Sequence, residues 1–344
     1  MNKVSLLLAV ALQLSVSSHA KIWRVNNVAG ITADFITVQA AHDGAAAGDT
    51  LHLEPSITSY GNLTMSKRLS IVSSGQFASD NPGYQQDIKN AYAGEVAIAD
   101  AGANGSLLSI RCLQIRIDGS AVANISLLNC AVTTASDGQC FGGLGDQGGL
   151  NIIGADNIIV SGCWFAYVSL RSASNNILLT NNIIAGRVAV DGGSSGVFRN
   201  NVICALFQGN TCGSPPTLAN SSFINNIFNK GFFLGAGVIS NCSFQNNFSA
   251  DAFLPAGNGN VNNMNMTTVF VNTSGGYVDN AYLLKQGSPA IGAGVNGENL
   301  GAFGGTTPFR IAVTPSIPSI YKLAVPSAAS GASMNIIFST RTNN

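Results

Sequence analysis

SASNNILLTNNIIAGRVAVDGGSSGVFRNNVI (residues 172–203) states one phrase twice: an Asn pair, a short aliphatic run, then glycines and a polar turn. The phrase recurs along the chain as NISLLNCAV, NIIVSGCWF, NILLTNNII, GVFRNNVI, NSSFINNIF and NCSFQNNF. The second residue of each Asn pair, or its equivalent, falls at positions 130, 163, 182, 201, 226 and 247, at intervals of 33, 19, 19, 25 and 21. A period near twenty built from short β-rich phrases is the signature of a solenoid.

Leucine-rich repeats share that period but need Leu at several fixed positions and usually a helical segment. Here Ile, Val, Phe and Asn dominate, with Gly between the phrases. The pattern predicts an all-β fold, a right-handed parallel β-helix whose coils stack at the strand spacing of about 4.8 Å. Stacking sets equivalent residues above one another, so a buried Asn can hydrogen-bond to the Asn of the next coil through its amide. Asn182, Asn201, Asn226 and Asn247, each with the Asn before it, therefore read as a structural turn ladder. A row of sugar-binding Asn is the functional alternative. The 39 glycines suit corners that need positive φ.

The chain ends read as caps. In DFITVQAAHDGAAAGDTLHLEPS, Thr37 to Ala47 fits a short amphipathic helix, Gly48 stops it and Leu51 to Leu53 opens the first strand. Such a helix would close the open end of the solenoid. After Gly305 the composition changes, and residues 306–344 contain two alternating segments, Tyr321 to Val325 and Met334 to Thr340. They predict a β-hairpin that packs along or caps the solenoid, with a sorting signal as the other reading.

The first twenty residues, MNKVSLLLAVALQLSVSSHA, combine a basic Lys3, an apolar run and small residues Ser18 and Ala20 before a cut at Lys21. This is the pattern of a Sec signal peptide, and the apolar run is shorter than the roughly 20 residues that span a bilayer. The expected organisation is a signal peptide at 1–20, a single β-helix domain with its N-terminal cap at 21–305, and the tail, in a protein destined for secretion or the cell surface. No later segment approaches a membrane span. At 344 residues and 46% hydrophobic, the chain is ample for one large core.

Sixteen Lys and Arg balance sixteen Asp and Glu, and only 9% of residues are charged. That argues against nucleic acid or an anionic membrane as partner, since both are held by clustered basic residues. Seven cysteines are an odd number with no zinc spacing, and most sit in apolar phrases as small buried hydrophobes. Cys204 and Cys212 flank the polar loop CALFQGNTC, where a disulfide fits an oxidising compartment.

FITVQAAHDGAAAGDTLHL followed by KRLSIVSSG resembles the N-terminal entry of pectate-lyase-like and pectin-esterase-like β-helices. LLKQGSPAIGAG and NLGAFGG look like the last coil of secreted bacterial right-handed β-helix proteins. NPGYQQ with GANGSLLSI, and the tail IPSIYKLAVP with STRTNN, are similar to a group of such proteins from Bacteroidetes-type bacteria. The resemblance implies the fold and says little of activity. Polygalacturonase-like hydrolases carry paired Asp and a His on the coils, yet the histidines here are His19, His42 and His52, and no Asp-Asp pair occurs. VAVDGG around Asp191 does not match the pectin-esterase-like strand either.

A polysaccharide lyase needs a base, often Lys or Arg, beside a uronate carboxyl and a cation such as Ca²⁺ or Arg to neutralise it. Arg171, Arg187 and Lys230 are the residues suited to that role, with Asp191 as a calcium ligand; their alternative is a solvated place at strand edges. The long interval hides an insertion, TTASDGQCFGGLGDQGG, whose Asp137, Phe141 and Asp146 make a candidate ligand loop. Trp164, Phe165 and Tyr167 follow it. Alternation puts Trp164 and Phe165 on opposite sides, so an exposed one would stack on a sugar ring; core burial is the favoured reading for each taken singly. The functional expectation is a secreted, non-catalytic β-helix that binds extracellular glycan or serves as a cell-surface scaffold, with β-elimination on a uronate polymer as the alternative.

Overall fold

A computed structural model describes residues 20–73, 76–77, 89–133, 149–186, 188–204, 217–229, 238–272, 280–311, 319–325 and 334–341. One coil shows how the molecule is built. Ile158–Ser161 lies in a first, long sheet, Trp164–Phe165 in a second and Val168–Arg171 in a third. The next coil repeats this with Ile177–Thr180, Ile183–Ile184 and Val188–Val190, aligning Ile158 with Ile177, Trp164 with Ile183 and Val168 with Val188. Among the described residues the three sheets hold ten, seven and six strands. Every pairing that extends them is parallel, so the fold is a parallel β-helix with few helices.

Alternation fills the interior. In the long sheet Leu127, Val160, Leu179, Phe198 and Phe223 point inward in one row and are fully buried. The row ends in an aromatic stack: Phe198 on Phe223 at 4.7 Å and Phe223 on Phe244 at 5.0 Å, with planes within about 11°. That spacing is the strand spacing itself, so parallel strands stack identical rings without adjustment.

Each Asn pair does two jobs. The first member takes a left-handed conformation that turns the corner: φ is 55° at Asn181, 52° at Asn200, 57° at Asn225 and 51° at Asn246. Asn tolerates this region better than other residues with a Cβ. The expectation that glycine turns the corners is met at Gly162, with φ of 64°, while Asn holds the same corner in the four coils that follow. The second member points inward. Asn201 Oδ1 accepts both the backbone N–H of Asn182 (2.9 Å) and its Nδ2 (3.0 Å), and Asn201 Nδ2 donates to Leu179 O in the strand one coil back (3.0 Å). The same set joins Asn201 to Asn226, Asn226 to Asn247, and Asn247 to Asn260. Asn182, Asn201, Asn226 and Asn247 are all fully buried, so this ladder satisfies polar groups that water cannot reach.

The N-terminal cap is a helix over Val38–Gly44, shorter than the expected Thr37 to Ala47, with the Thr37 side chain accepting the Ala40 N–H at 3.2 Å. Val38 and Ala41 bury against the first coil. His42, 2% exposed, accepts the Ser66 N–H at Nε2 (3.1 Å), which leaves Nδ1–H to donate to Asp43 (2.8 Å). At the other end Phe253 and Leu254 close the core, Phe253 meeting Phe228 edge-on at 5.0 Å.

The segment expected to form the last coil does something else. Residues 290–309 add no strand to the three sheets; they run back along the outside as a strap. Asn246 donates to Ala293 O, Asn225 to Glu298, Asn200 to Asn299 O, and Asn181 to Ala302 O and Gly304 O, so later strap residues meet earlier coils. The cause is the outer face of the seven-stranded sheet, where Trp164, Ile183, Val202, Ile227 and Phe248 form a second apolar cluster with Leu300, Ala302 and Phe309. That row must be covered. Gly301 allows the close approach: φ is +77°, and a Cβ there would lie 2.9 Å from Ile227 Cδ1.

Ser319–Ala324 and Ile337–Arg341 pair antiparallel, as the alternating segments predict. Ile337 and Phe338, neighbours that point to opposite faces, are 61% and 62% exposed, so the hairpin is covered on neither face there.

Candidate functional site

Only part of the candidate set lies among the described residues. Among the proposed lyase residues, Arg187 and Lys230 lie outside the described residues, as do Asp137, Phe141 and Asp146 of the insertion and Cys212. Arg171 ends its strand in the six-stranded sheet, one coil from Asp191. The Asp191 carboxylate is engaged in a turn: Oδ2 accepts the Ser172 N–H at 2.7 Å and Oδ1 the Gly193 N–H at 3.1 Å. This is a corner-capping aspartate. Among the described residues no three His, Cys, Asp or Glu side chains come together as a metal site.

Of the two readings of the aromatic pair, burial is the one found. Phe165 points into the coil and Trp164 out of it, yet both are fully buried, because the strap and the Phe77 ring, 6.2 Å from the indole, cover the outer side. Trp164 therefore offers no face to a sugar. Tyr167 is partly exposed, and its hydroxyl donates to Asn151 Oδ1. Cys204 is buried with Asn229 Nδ2 3.8 Å from its sulfur. Burial pushes the thiols of Cys112 and Cys163 well above the usual range, which keeps them protonated and unreactive at neutral pH.

What the structure does assemble is a cleft of about 390 Å³ between the outer face of the long sheet and the strap, lined by Leu178, Thr180, Arg199, Glu298 and Thr306 among others. Thr180 and Arg199 are outward neighbours on successive coils. Arg199 Nη2 lies 2.9 Å from Glu298 Oε2, which also accepts Asn225 Nδ2 at 2.9 Å. The two side chains are 36% and 21% exposed, so the ion pair is reachable from solvent. Thr180 donates to Asn181 Oδ1 at 2.8 Å, and Asn181 Nδ2 holds the strap at Ala302 and Gly304. Leu178, on the outward row with Ile159 and Val197, supplies an aliphatic floor; these three are 45%, 36% and 40% exposed in chain order.

The cleft thus joins a compensated charge pair, hydroxyls and an aliphatic surface. It suits a neutral polar ligand with an apolar face, and gives no excess charge with which to hold an anion. Arg199 is 99 residues from Glu298, so no local spacing pointed to the pair. The available signal was a single Arg in an outward row otherwise occupied at that end by Ser161, Thr180, Ile224 and Gln245. Compared with protein-family models and with curated proteins, the chain matches none.

Proposed function

We propose that the chain is a secreted bacterial β-helix of the pectate-lyase-like superfamily, similar to those of Bacteroidetes-type bacteria, that acts at or outside the cell surface without catalysis. In this reading it binds neutral extracellular glycan, or cell-surface material that presents it, in the cleft beside Arg199 and Glu298. The observation that carries the reading is the composition of that cleft: paired donors and acceptors of zero net charge over the Leu178 floor, the groups that match the hydroxyls and the C–H face of a sugar ring. The Sec-type start of the chain supplies the compartment. Among the described residues no helix is long and apolar enough to cross a membrane.

The alternative keeps Arg171, Arg187 and Lys230 as β-elimination residues with Asp191 and Ca²⁺. One experiment separates the two. The purified protein is incubated with pectate, alginate and glycosaminoglycans, with and without Ca²⁺, while the ultraviolet absorbance of an unsaturated product is followed; the same protein is then applied to an array of neutral glycans. A flat trace with array binding that weakens about tenfold in Thr306→Glu supports the proposal, since the added charge breaks the balance of the cleft. An absorbance rise lost in Arg187→Ala or Lys230→Ala would replace it with the lyase.

A further inference from the structure

The corner where the first strand begins holds a carboxylate whose partners the β-helix does not require. Asp49 is 6% exposed, although it sits shallowly at the end of the solenoid. Its Oδ1 accepts the backbone N–H of Lys21 at 2.8 Å. Its Oδ2 accepts Trp23 Nε1 at 2.8 Å and the Ala46 N–H at 2.9 Å. All three donors are neutral in the unprocessed chain. The Lys21 carbonyl in turn accepts the Thr50 N–H at 2.8 Å, so Lys21 is fixed at both its N–H and its C=O. Its side chain lies over the Trp23 ring at 3.2 Å, which places the ε-ammonium charge at the same corner. Ala20, one residue earlier, is exposed.

Lys21 is also the residue at which the signal-peptide pattern places the new N-terminus. We propose that cleavage between Ala20 and Lys21 turns the Lys21 nitrogen into an α-ammonium that docks on the Asp49 carboxylate, so that processing itself locks the first strand onto the cap. The inference rests on the export reading above and goes beyond it by assigning a receiving site to the new terminus. Hydrolysis of the peptide bond adds one water: the carboxyl group leaves with Ala20, and the amine that remains on Lys21 takes up a proton. One neutral N–H donor to Asp49 becomes a cation with three, so a hydrogen bond assisted only by the carboxylate's charge becomes an ion pair as well. The strand that this terminus begins, Ile22–Val25, is the first of the long sheet and pairs with Thr50–Leu53 directly after Asp49. Before cleavage the Asp49 carboxylate is held by neutral N–H donors alone, while Arg24 in the same strand already pairs with Glu54. After it, the ion pair ties strand, Trp23 and the turn at Ala46 to one carboxylate. The device leaves the precursor easier to unfold for export and the processed protein harder to fray.

Two measurements test separate links. Mass spectrometry of the exported protein reads its first residue; Lys21 is expected, and another start overturns the processing step. Independently, a full chain made to begin at Lys21 by tag removal is compared with one that carries Gly-Gly ahead of Lys21, which keeps the amide donor and moves the charge away. The chain beginning at Lys21 is expected to melt roughly 2–4 °C higher, and the difference should vanish when both carry Asp49→Asn. Should Asp49→Asn fail to fold, labelling with an aldehyde selective for α-amines decides: the docked terminus is expected to react on the order of tenfold more slowly than the Gly-Gly terminus. Equal melting or equal labelling overturns the docking whatever the export result.

Discussion

One column of the solenoid is built in two chemistries. Going down the coils it reads Cys130, Cys163, Asn182, Asn201, Asn226, Asn247 and Asn260, each after a residue at the corner. In the lower coils the carboxamide accepts two N–H groups from the coil above and returns one to a carbonyl. In the upper coils a thiol does part of this: Cys163 Sγ takes the Cys130 N–H at 3.2 Å and lies 3.4 Å from Leu127 O. The comparison teaches what the position demands. It needs one acceptor aimed upward and one donor aimed back, in a site without water; the amide supplies both strongly and the thiol weakly. The Asn coils are accordingly expected to be the more strongly held half.

The sharpest way to break the comparison is to remove the amide and keep the volume. Asn201→Leu leaves the Asn182 N–H without its acceptor and Leu179 O without its donor, and leaves Asn182 Nδ2 with Val160 O but not its second partner, all in a fully buried site. Buried groups left unsatisfied cost about 1–3 kcal/mol each. We expect a loss of about 3 kcal/mol or more in denaturant unfolding, with the Asn182 amide losing hydrogen-exchange protection first. A loss under about 1 kcal/mol would mean that the ladder only decorates a core held by its apolar rows.

Next comes the outward member of the same pair. Asn200 turns the corner at φ 52° and donates to Asn299 O of the strap at 2.9 Å. Asn200→Gly removes the bond but keeps the conformation, while Asn200→Ala removes the bond and sets a Cβ in the left-handed region. We expect about 1 kcal/mol for the glycine variant and about 2 for the alanine. Equal losses would show that the strap contact alone matters.

The upper coils should tolerate more. Cys163→Ser exchanges a weak donor for a hydroxyl that reaches the same carbonyls, with a slightly smaller volume, in a fully buried place. The expected change is within about 1 kcal/mol. A loss equal to that of Asn201→Leu would make the two halves equivalent after all.

The legibility of these features followed their range. The inward ladder was readable because stacking repeats it every coil, so Asn182, Asn201, Asn226 and Asn247 stood out as a column. The division of labour inside each pair was not readable, since both members are the same residue and only φ separates them. Alternation set Trp164 and Phe165 on opposite sides without saying which faces out, and it could not show what covers Trp164, which arrives from more than a hundred residues later: Asn181 reaches Ala302 over a separation of 121. Periodicity speaks for a coil and its neighbours. It is silent on a strap that crosses four of them, and therefore on the cleft that the strap creates with Arg199.

The smallest expected effect separates the ladder from the cap by pH. Carboxamides do not titrate, so the column from Asn182 to Asn260 contributes equally from neutral to acid pH. The cap is held by carboxylates. Hydrogen bonds from the Lys21 backbone and then from Trp23 hold Asp49 below the usual carboxylate range, and the Arg24 guanidinium does the same for Glu54. A carboxylate with a depressed folded-state pKa favours the folded state above its unfolded value, about 4, and loses that contribution as pH falls through the depressed one. On acidification below about pH 4, amides of residues 46–53 are therefore expected to lose exchange protection before those of 182–203. Because both groups sit at one end and lie close to solvent, the global unfolding free energy should change little at first, while the first strand frays. Simultaneous loss in both regions would instead show that the solenoid opens as one unit, and that the amide ladder transmits the state of the cap along its whole length.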